Sequence, residues 1–271
     1  MWPGAGLRPP RLRRRPEDSR DIRVAVVTGG SSGIGAAVAR LLAGRGWRCV
    51  LLARGRERLE ALAVEIGAEA EPCDVAERAQ VEDVARRVAA RHPAVHLLVN
   101  NAGIPGRGSF LEVEPERIEA VIRTNYLGSV WCTRALLPSL EAAAPADVVN
   151  VVSVAGLVAH GASGPYSAAK HAQLAFSRAV TGELGRRGVR VHTLCPGPVE
   201  TPGFPQSRLL QRPLAGRVVL RPEQVADAVL AAVERGRAEV VLPRYLRLAG
   251  VAQALAPSTL TRLATRARGR P

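Results

Sequence analysis

Lysine is almost absent from this chain. Lysine and arginine together number 38, yet Lys170 is the sole lysine. Aromatic residues are scarce as well, at 3% against 47% hydrophobic residues overall, so a core has to be built mainly from valine, leucine and alanine. The four cysteines, Cys49, Cys73, Cys132 and Cys195, lie far apart and form no CxxC pair. That spacing argues against a disulfide scaffold and suits buried or free thiols in a reducing compartment. A chain of 271 residues can bury a sizeable core without disulfides or metal, and no metal site is expected. No apolar run reaches about 18 residues, which argues against a spanning helix. The N-terminal stretch lacks the apolar segment of a secretory signal, and its four prolines argue against an amphipathic targeting helix. A cytoplasmic protein is expected.

Acid is missing where base is concentrated. The net charge is +14. Residues 1–23 carry seven arginines against Glu17, Asp18 and Asp21, and residues 244–271 carry six arginines and no acid. The expected organisation is a disordered basic tail over 1–21, one catalytic domain over 22–243 and a basic extension over 244–271. Basic ends suit nucleic acid, an anionic membrane surface or simply a solubilising tail. No base-stacking aromatics interleave with the arginines, which argues against nucleic acid.

The body alternates strand and helix. Apolar runs over 22–30, 47–54, 68–75, 95–103, 146–156, 189–198 and 238–243 read as strands. Helical spacing fills the intervals, including 115–140, 166–186 and 221–236. Such alternation predicts an α/β fold: a doubly wound, mostly parallel seven-stranded sheet with helices on both faces. Ligands in such a sheet sit beyond the C-terminal strand ends, where the winding reverses.

The polar motifs fall at those ends. "TGGSSGIG" (28–35) places Gly29, Gly33 and Gly35 between the first strand and first helix, where a backbone without Cβ can receive a pyrophosphate at a helix N-terminus. A purely structural turn is the alternative. The second strand ends on Ala53 and Arg54, with no acid before Glu57. Arginine there selects the 2′-phosphate of NADP over NAD, unless Arg54 is one more surface arginine. Asp74 is placed to accept from an adenine amino group, or to cap the next helix. "NNAG" (100–103) can face a nucleotide or make an ordinary turn. Tyr166 and Lys170, four apart, share one helical face. An ammonium beside a phenol favours the phenolate and makes tyrosine usable as an acid/base near neutrality. Lysine suits this task better than the broad guanidinium of arginine. Ser153 ends the fifth strand, and Asn125 disfavours the helix it sits in, which predicts a local kink.

Together TGGSSGIG, NNAG, Asn125, Ser153, Tyr166-x3-Lys170 and PGPVET (196–201) resemble the short-chain dehydrogenase/reductase family over residues 22–243. The resemblance implies a Rossmann-type fold and a Ser153/Tyr166/Lys170 triad with Asn125 as fourth member. Tyr166 exchanges the proton, Ser153 orients the reacting oxygen, Lys170 holds the nicotinamide ribose and Asn125 helps place a relay water. The implied cofactor surface comprises Gly29, Ser31, Ser32, Gly33, Ile34 and Gly35 of the first turn. It continues through Arg54, Asp74 and Val75, then Asn101, Ala102 and Gly103. Pro196, Gly197, Val199 and Thr201 close it beside Tyr166 and Lys170. A homodimer or homotetramer is also implied, through helices at about 115–140 and 166–186.

The resemblance implies that the segment 202–220 is a mobile lid; it mixes Phe204, Leu209, Leu210 and Leu214 with Arg208 and Arg212. It suits a medium-sized, fairly apolar carbonyl or secondary alcohol, such as a ketone, a 3-oxoacyl thioester or a steroid-like ring. His160 reads as a solvent-edge residue. The C-terminal stretch reads as a basic amphipathic helix interrupted by Pro257, lying on a membrane surface, packing on a neighbouring subunit or fraying. The expected function is an NADP(H)-dependent oxidoreductase. The alternative is a non-catalytic nucleotide-binding regulator that uses its basic tails.

Overall fold

A computed structural model describes residues 22–106, 108, 111–159, 164–211 and 218–258. The basic tail over 1–21, His160, Arg212, Leu214 and the last thirteen residues lie outside that set.

Seven strands form one sheet: β1 (Val24–Thr28), β2 (Arg48–Ala53), β3 (Glu69–Pro72), β4 (Leu97–Asn100), β5 (Ala146–Val151), β6 (Val189–Pro196) and β7 (Glu239–Leu242). Their order is β3-β2-β1-β4-β5-β6-β7, and every pairing is parallel rather than mostly so. The helices are α1 (Gly33–Ala43), α2 (Arg56–Ile66), α3 (Arg78–Arg91), α4 (Pro115–Ile122), α5 (Gly128–Ala142), α6 (Gly164–Gly185), the short α7 (Ser207–Leu210), α8 (Pro222–Glu234) and α9 (Arg247–Leu255).

The strands can be apolar along their whole length because helices cover both faces. Side-chain alternation divides them cleanly. Ala25, Val27, Leu51, Val99 and Val149 pack with α1 and α8, whereas Val24, Val26, Val50, Leu98 and Val148 pack with α3 and α5. With three aromatics in every hundred residues, these valine and leucine layers make up the core.

The structure shortens the third strand from the expected 68–75. After Pro72 the Asp74 carboxylate takes the Ala76 N–H at 3.0 Å, and this side-chain turn draws the chain off the ladder. The helix expected over 115–140 is interrupted by a π-helical turn, Arg123–Leu127, before it resumes as α5. Asn125 sits in that turn, so the expected kink takes the form of a π turn, a feature frequent at functional sites.

Winding reverses between β1 and β4, the neighbours at the centre of the sheet. The crevice beyond their C-terminal ends is where this architecture receives a ligand.

Candidate active site

One cleft of about 1030 Å³ opens at that crevice. Its lining draws on the ends of β1, β2, β4, β5 and β6, the segment over 201–209, and Ala249 of α9.

The floor is the turn after β1. Gly29 and Gly33 hold φ of +65° and +55°, where a side chain would be strained. Gly35 serves a different purpose: a Cβ there would collide with the Gly29 carbonyl oxygen. The turn can therefore fold tightly onto the N-terminus of α1, whose Ser32 cap position makes no side-chain cap bond. Exposed backbone N–H groups at a helix N-terminus suit a pyrophosphate, so the residues present fit a dinucleotide. Thr28 ties this turn to the next wall. Its hydroxyl accepts from the Asn101 and Ala102 N–H groups at 2.9 and 3.0 Å, while the Asn101 amide donates to the Thr28 carbonyl at 3.0 Å.

Asn125 is fully buried behind that wall. Its Oδ1 accepts the Ile104 N–H at 2.7 Å and its Nδ2 donates to the Ile104 carbonyl at 2.9 Å. Both ends of the amide are engaged, so the side chain fixes the loop after β4 and does not itself face the cleft.

On the opposite wall, Ser153 follows β5. Its Oγ accepts the Ala155 N–H at 3.0 Å, at the start of the 3₁₀ turn Val154–Gly156. That bond occupies a lone pair and leaves the hydroxyl proton to be donated elsewhere. Tyr166 and Lys170 lie on one face of α6, with the ammonium 5.9 Å from the Tyr166 ring centroid. The Phe204 ring lies 5.6 Å from the Tyr166 ring, an apolar cover over the phenol. Lys170 is only 3% exposed. Its Nζ donates to the Val151 carbonyl at 2.9 Å and to Gln173 Oε1 at 2.7 Å. Burial pushes its pKa down from 10.5 to about 7, with Cys195 acting weakly in the opposite sense.

Of the catalytic and cofactor-binding residues that the resemblance implies, eighteen line this cleft: Ser31, Ile34, Val75, Gly103, Pro196, Gly197, Val199 and Thr201 join Gly29, Ser32, Gly33, Arg54, Asp74, Asn101, Ala102, Ser153, Tyr166 and Lys170. Gly35 and Asn125 stand behind it. Asp74 does not cap α3, since Glu77 occupies that position. Besides holding Ala76, Asp74 faces Arg54 at 3.6 Å. Residues that sequence reasoning did not single out are Thr28, Gln173 and Arg58, a second arginine on the nucleotide side of the cleft. Arg58 could have been found by asking which residues of the first turn after β2 carry charge. Thr28 and Gln173 carry no sequence signal of their own.

A family model described as short chain dehydrogenase matches residues 23–210. A putative ketoacyl reductase of Streptomyces coelicolor is 39% identical over 193 residues, which cover 68% of this chain and 73% of that protein. Among solved structures, an actinorhodin polyketide ketoreductase with NADPH superposes with a TM-score of 0.76 at 31% identity, covering 84% of this chain and 98% of that one. A short chain dehydrogenase/reductase from Burkholderia phymatum in complex with NAD gives 0.77 at 26% identity, covering 89% and 95%.

Proposed function

The chain belongs to the short chain dehydrogenase family, and from that premise we propose an NADP(H)-dependent enzyme that interconverts a medium-sized, apolar ketone or 3-oxoacyl group with its alcohol. The observation that carries this reading is the meeting of Ser153, Tyr166 and Lys170 in one cleft with the glycine turn.

The bound nicotinamide supplies or accepts the hydride. In reduction, the Tyr166 phenol gives its proton to the carbonyl oxygen, while the Ser153 hydroxyl donates to the same oxygen and fixes its position. The phenolate left behind is stabilised by the Lys170 ammonium. Asn125 acts as a positioning residue by holding the loop that carries Gly103 and Ile104. The 2′-phosphate falls to Arg54, with Arg58 in support; no carboxylate stands at the end of β2 to favour NAD instead. Among the relatives, one solved structure carries NADPH and another NAD, so the preference rests on these two arginines. Phe204, Leu209, Val158 and Ala249 give the outer cleft an apolar lining suited to an aliphatic or ring substrate. Buried thiols at all four cysteines suit a cytoplasmic enzyme.

Tyr166→Phe keeps the ring and removes the proton. Turnover of a ketone panel with NADPH should fall about 10²- to 10⁴-fold with NADPH binding retained. If the unaltered protein binds NADPH and reduces no carbonyl, the non-catalytic regulator replaces this reading.

The partner surfaces follow from two helical regions. The π-turn region with α5, and α6, would form the contacts of a homodimer or homotetramer. On α9, Ala249, Gly250 and Gln253 turn toward the body, where Gln253 Oε1 accepts the Ala159 N–H at 3.2 Å. Leu248, Val251 and Leu255 are exposed on the opposite face, with Tyr245 just before them and arginines at 244 and 247. An apolar stripe flanked by base suits peripheral contact with an anionic membrane. No helix among the described residues is long and apolar enough to cross one. Sedimentation of the full chain with and without phosphatidylglycerol vesicles reads both partners: a dimer or larger alone, and co-sedimentation lost in Leu248→Ser/Leu255→Ser. A monomer, or no co-sedimentation, sinks the corresponding surface.

A further inference from the structure

We propose that Gln173 is a positioning residue for the active-site cation: with the Val151 carbonyl it holds two of the three N–H donors of Lys170 and leaves the third for the cleft. The inference rests on the reading above that Lys170 serves the reaction as an ammonium.

An ammonium has three donors and no acceptor. Two of those on Lys170 are committed, at 2.9 Å to the end of β5 and at 2.7 Å to the side chain one turn further along α6. Gln173 is 1% exposed, so water does not compete for its oxygen. Lys170 nevertheless lines the cleft, on the side of the Tyr166 ring. Two fixed acceptors on the inner side therefore set the direction of the remaining N–H, as two legs of a tripod set the third.

The chemical type of residue 173 matters as much as its place. A neutral amide offers an acceptor without cancelling the charge. A carboxylate there would form an ion pair and remove the net positive field that Tyr166 uses. An aliphatic side chain would leave a desolvated ammonium with one acceptor. Two titratable groups face the amine, the Tyr166 phenol on the same helix and the Cys195 thiol on β6. Among the described residues, the remaining elements against α6 bring no competing carboxylate, and the Tyr126 ring of the π turn packs on Phe176. The 3₁₀ turn after Ser153 carries no charge, and Glu116, Arg117 and Glu119 of α4 and Arg123 of the π turn are exposed to solvent. Further along β6, His192 is held by Asp147, while Arg178 of α6 is held by Glu239 on β7. Burial lowers the pKa of the amine to about 7, so an acceptor lost or charged at 173 would change how much of it is protonated at working pH.

The sole lysine makes this directly measurable. Full-length protein grown with ¹³Cε-lysine gives a single lysine side-chain resonance, whose shift against pH reports the charge on Lys170 without any turnover. The unaltered protein should titrate far below 10.5, toward about 7. Gln173→Met should titrate about one to two pH units lower, because a hydrogen bond to the charged form is lost. Gln173→Glu, nearly isosteric, should titrate higher. The alkaline limb of kcat/KM for ketone reduction should move in the same two directions, since the charged amine is present below its pKa and lost as pH rises through it. A glutamine with a merely structural role would lower stability in both variants and move neither titration. Coincident midpoints in all three proteins overturn the proposal, and the near-isosteric Glu variant decides alone if the Met variant does not fold. Absence of ketone turnover in the unaltered protein bears on the proposed function and leaves the resonance titration to decide this one.

Discussion

Strands β5 and β6 have basic side chains at both of their ends and treat them in opposite ways. At the N-terminal end Arg190 and His192 share one carboxylate. Arg190 Nη2 donates to Asp147 Oδ2 at 2.8 Å, and its Nε lies 2.8 Å from Oδ1 but off the hydrogen-bonding angle. His192 Nδ1 lies 2.8 Å from the Arg237 carbonyl, which can only accept, so that nitrogen carries a proton. Its Nε2 lies 2.7 Å from Asp147 Oδ1. At the C-terminal end Lys170 is 3% exposed and meets only neutral acceptors. In the first cluster the Asp147 carboxylate stands against the Arg190 guanidinium. The second has no carboxylate against it, and burial lowers the pKa of its amine. The same sheet thus separates a structural use of buried charge from a chemical one.

The comparison breaks most visibly at Asp147. Asp147→Ala removes the carboxylate shared by the buried His192 and the partly exposed Arg190, and should cost about 1–3 kcal/mol in unfolding free energy. Denaturant unfolding measures it, and the folded fraction should bind NADPH as before, because Asp147 lies at the far end of the strands from the cleft. Replacing all three residues with apolar ones of similar size should recover much of the loss, because an intact buried ion cluster adds little net stability over apolar packing. A loss under about 0.5 kcal/mol for the single substitution would mean that the carboxylate contributes no more than an exposed surface pair does.

This contrast also explains what could be read from the chain. The order of strands and helices was legible because covered strands need unbroken apolar runs, as in "VAVVT" and "CVLLA". The cleft residues at strand ends were legible because glycine, asparagine and a lone lysine are costly or rare unless position demands them. The end of β3 was missed because the Asp74 turn is a local side-chain bond, invisible to periodicity. The dual engagement of Asn125 was missed for a related reason: its partner Ile104 is apolar, and only its backbone takes part. Gln173 was passed over because a glutamine within a helix ordinarily reads as solvated surface. Its meaning comes from which helical face α6 turns inward, and that is fixed by β6 and the π turn rather than by α6 itself.

Arg54 stands between the two extremes, and so should the effect of changing it. Its guanidinium is 61% exposed and lies 3.6 Å from Asp74, a loose pair that contributes little to stability and can be given up for a better anion. A 2′-phosphate is such an anion, since a charge-assisted bond to arginine is worth about 1.5–3 kcal/mol. Arg54→Asp should therefore weaken NADPH binding about ten- to a hundredfold and improve NADH relative to it, while moving the unfolding midpoint far less than Asp147→Ala does. Fluorescence titration with each nucleotide reads the change. Arg58 sets the lower bound: if it shares the phosphate, the loss stays near tenfold and grows when Arg58 is also removed. An unchanged preference for NADPH in the double variant would take the 2′-phosphate away from this corner of the cleft and the cofactor assignment with it.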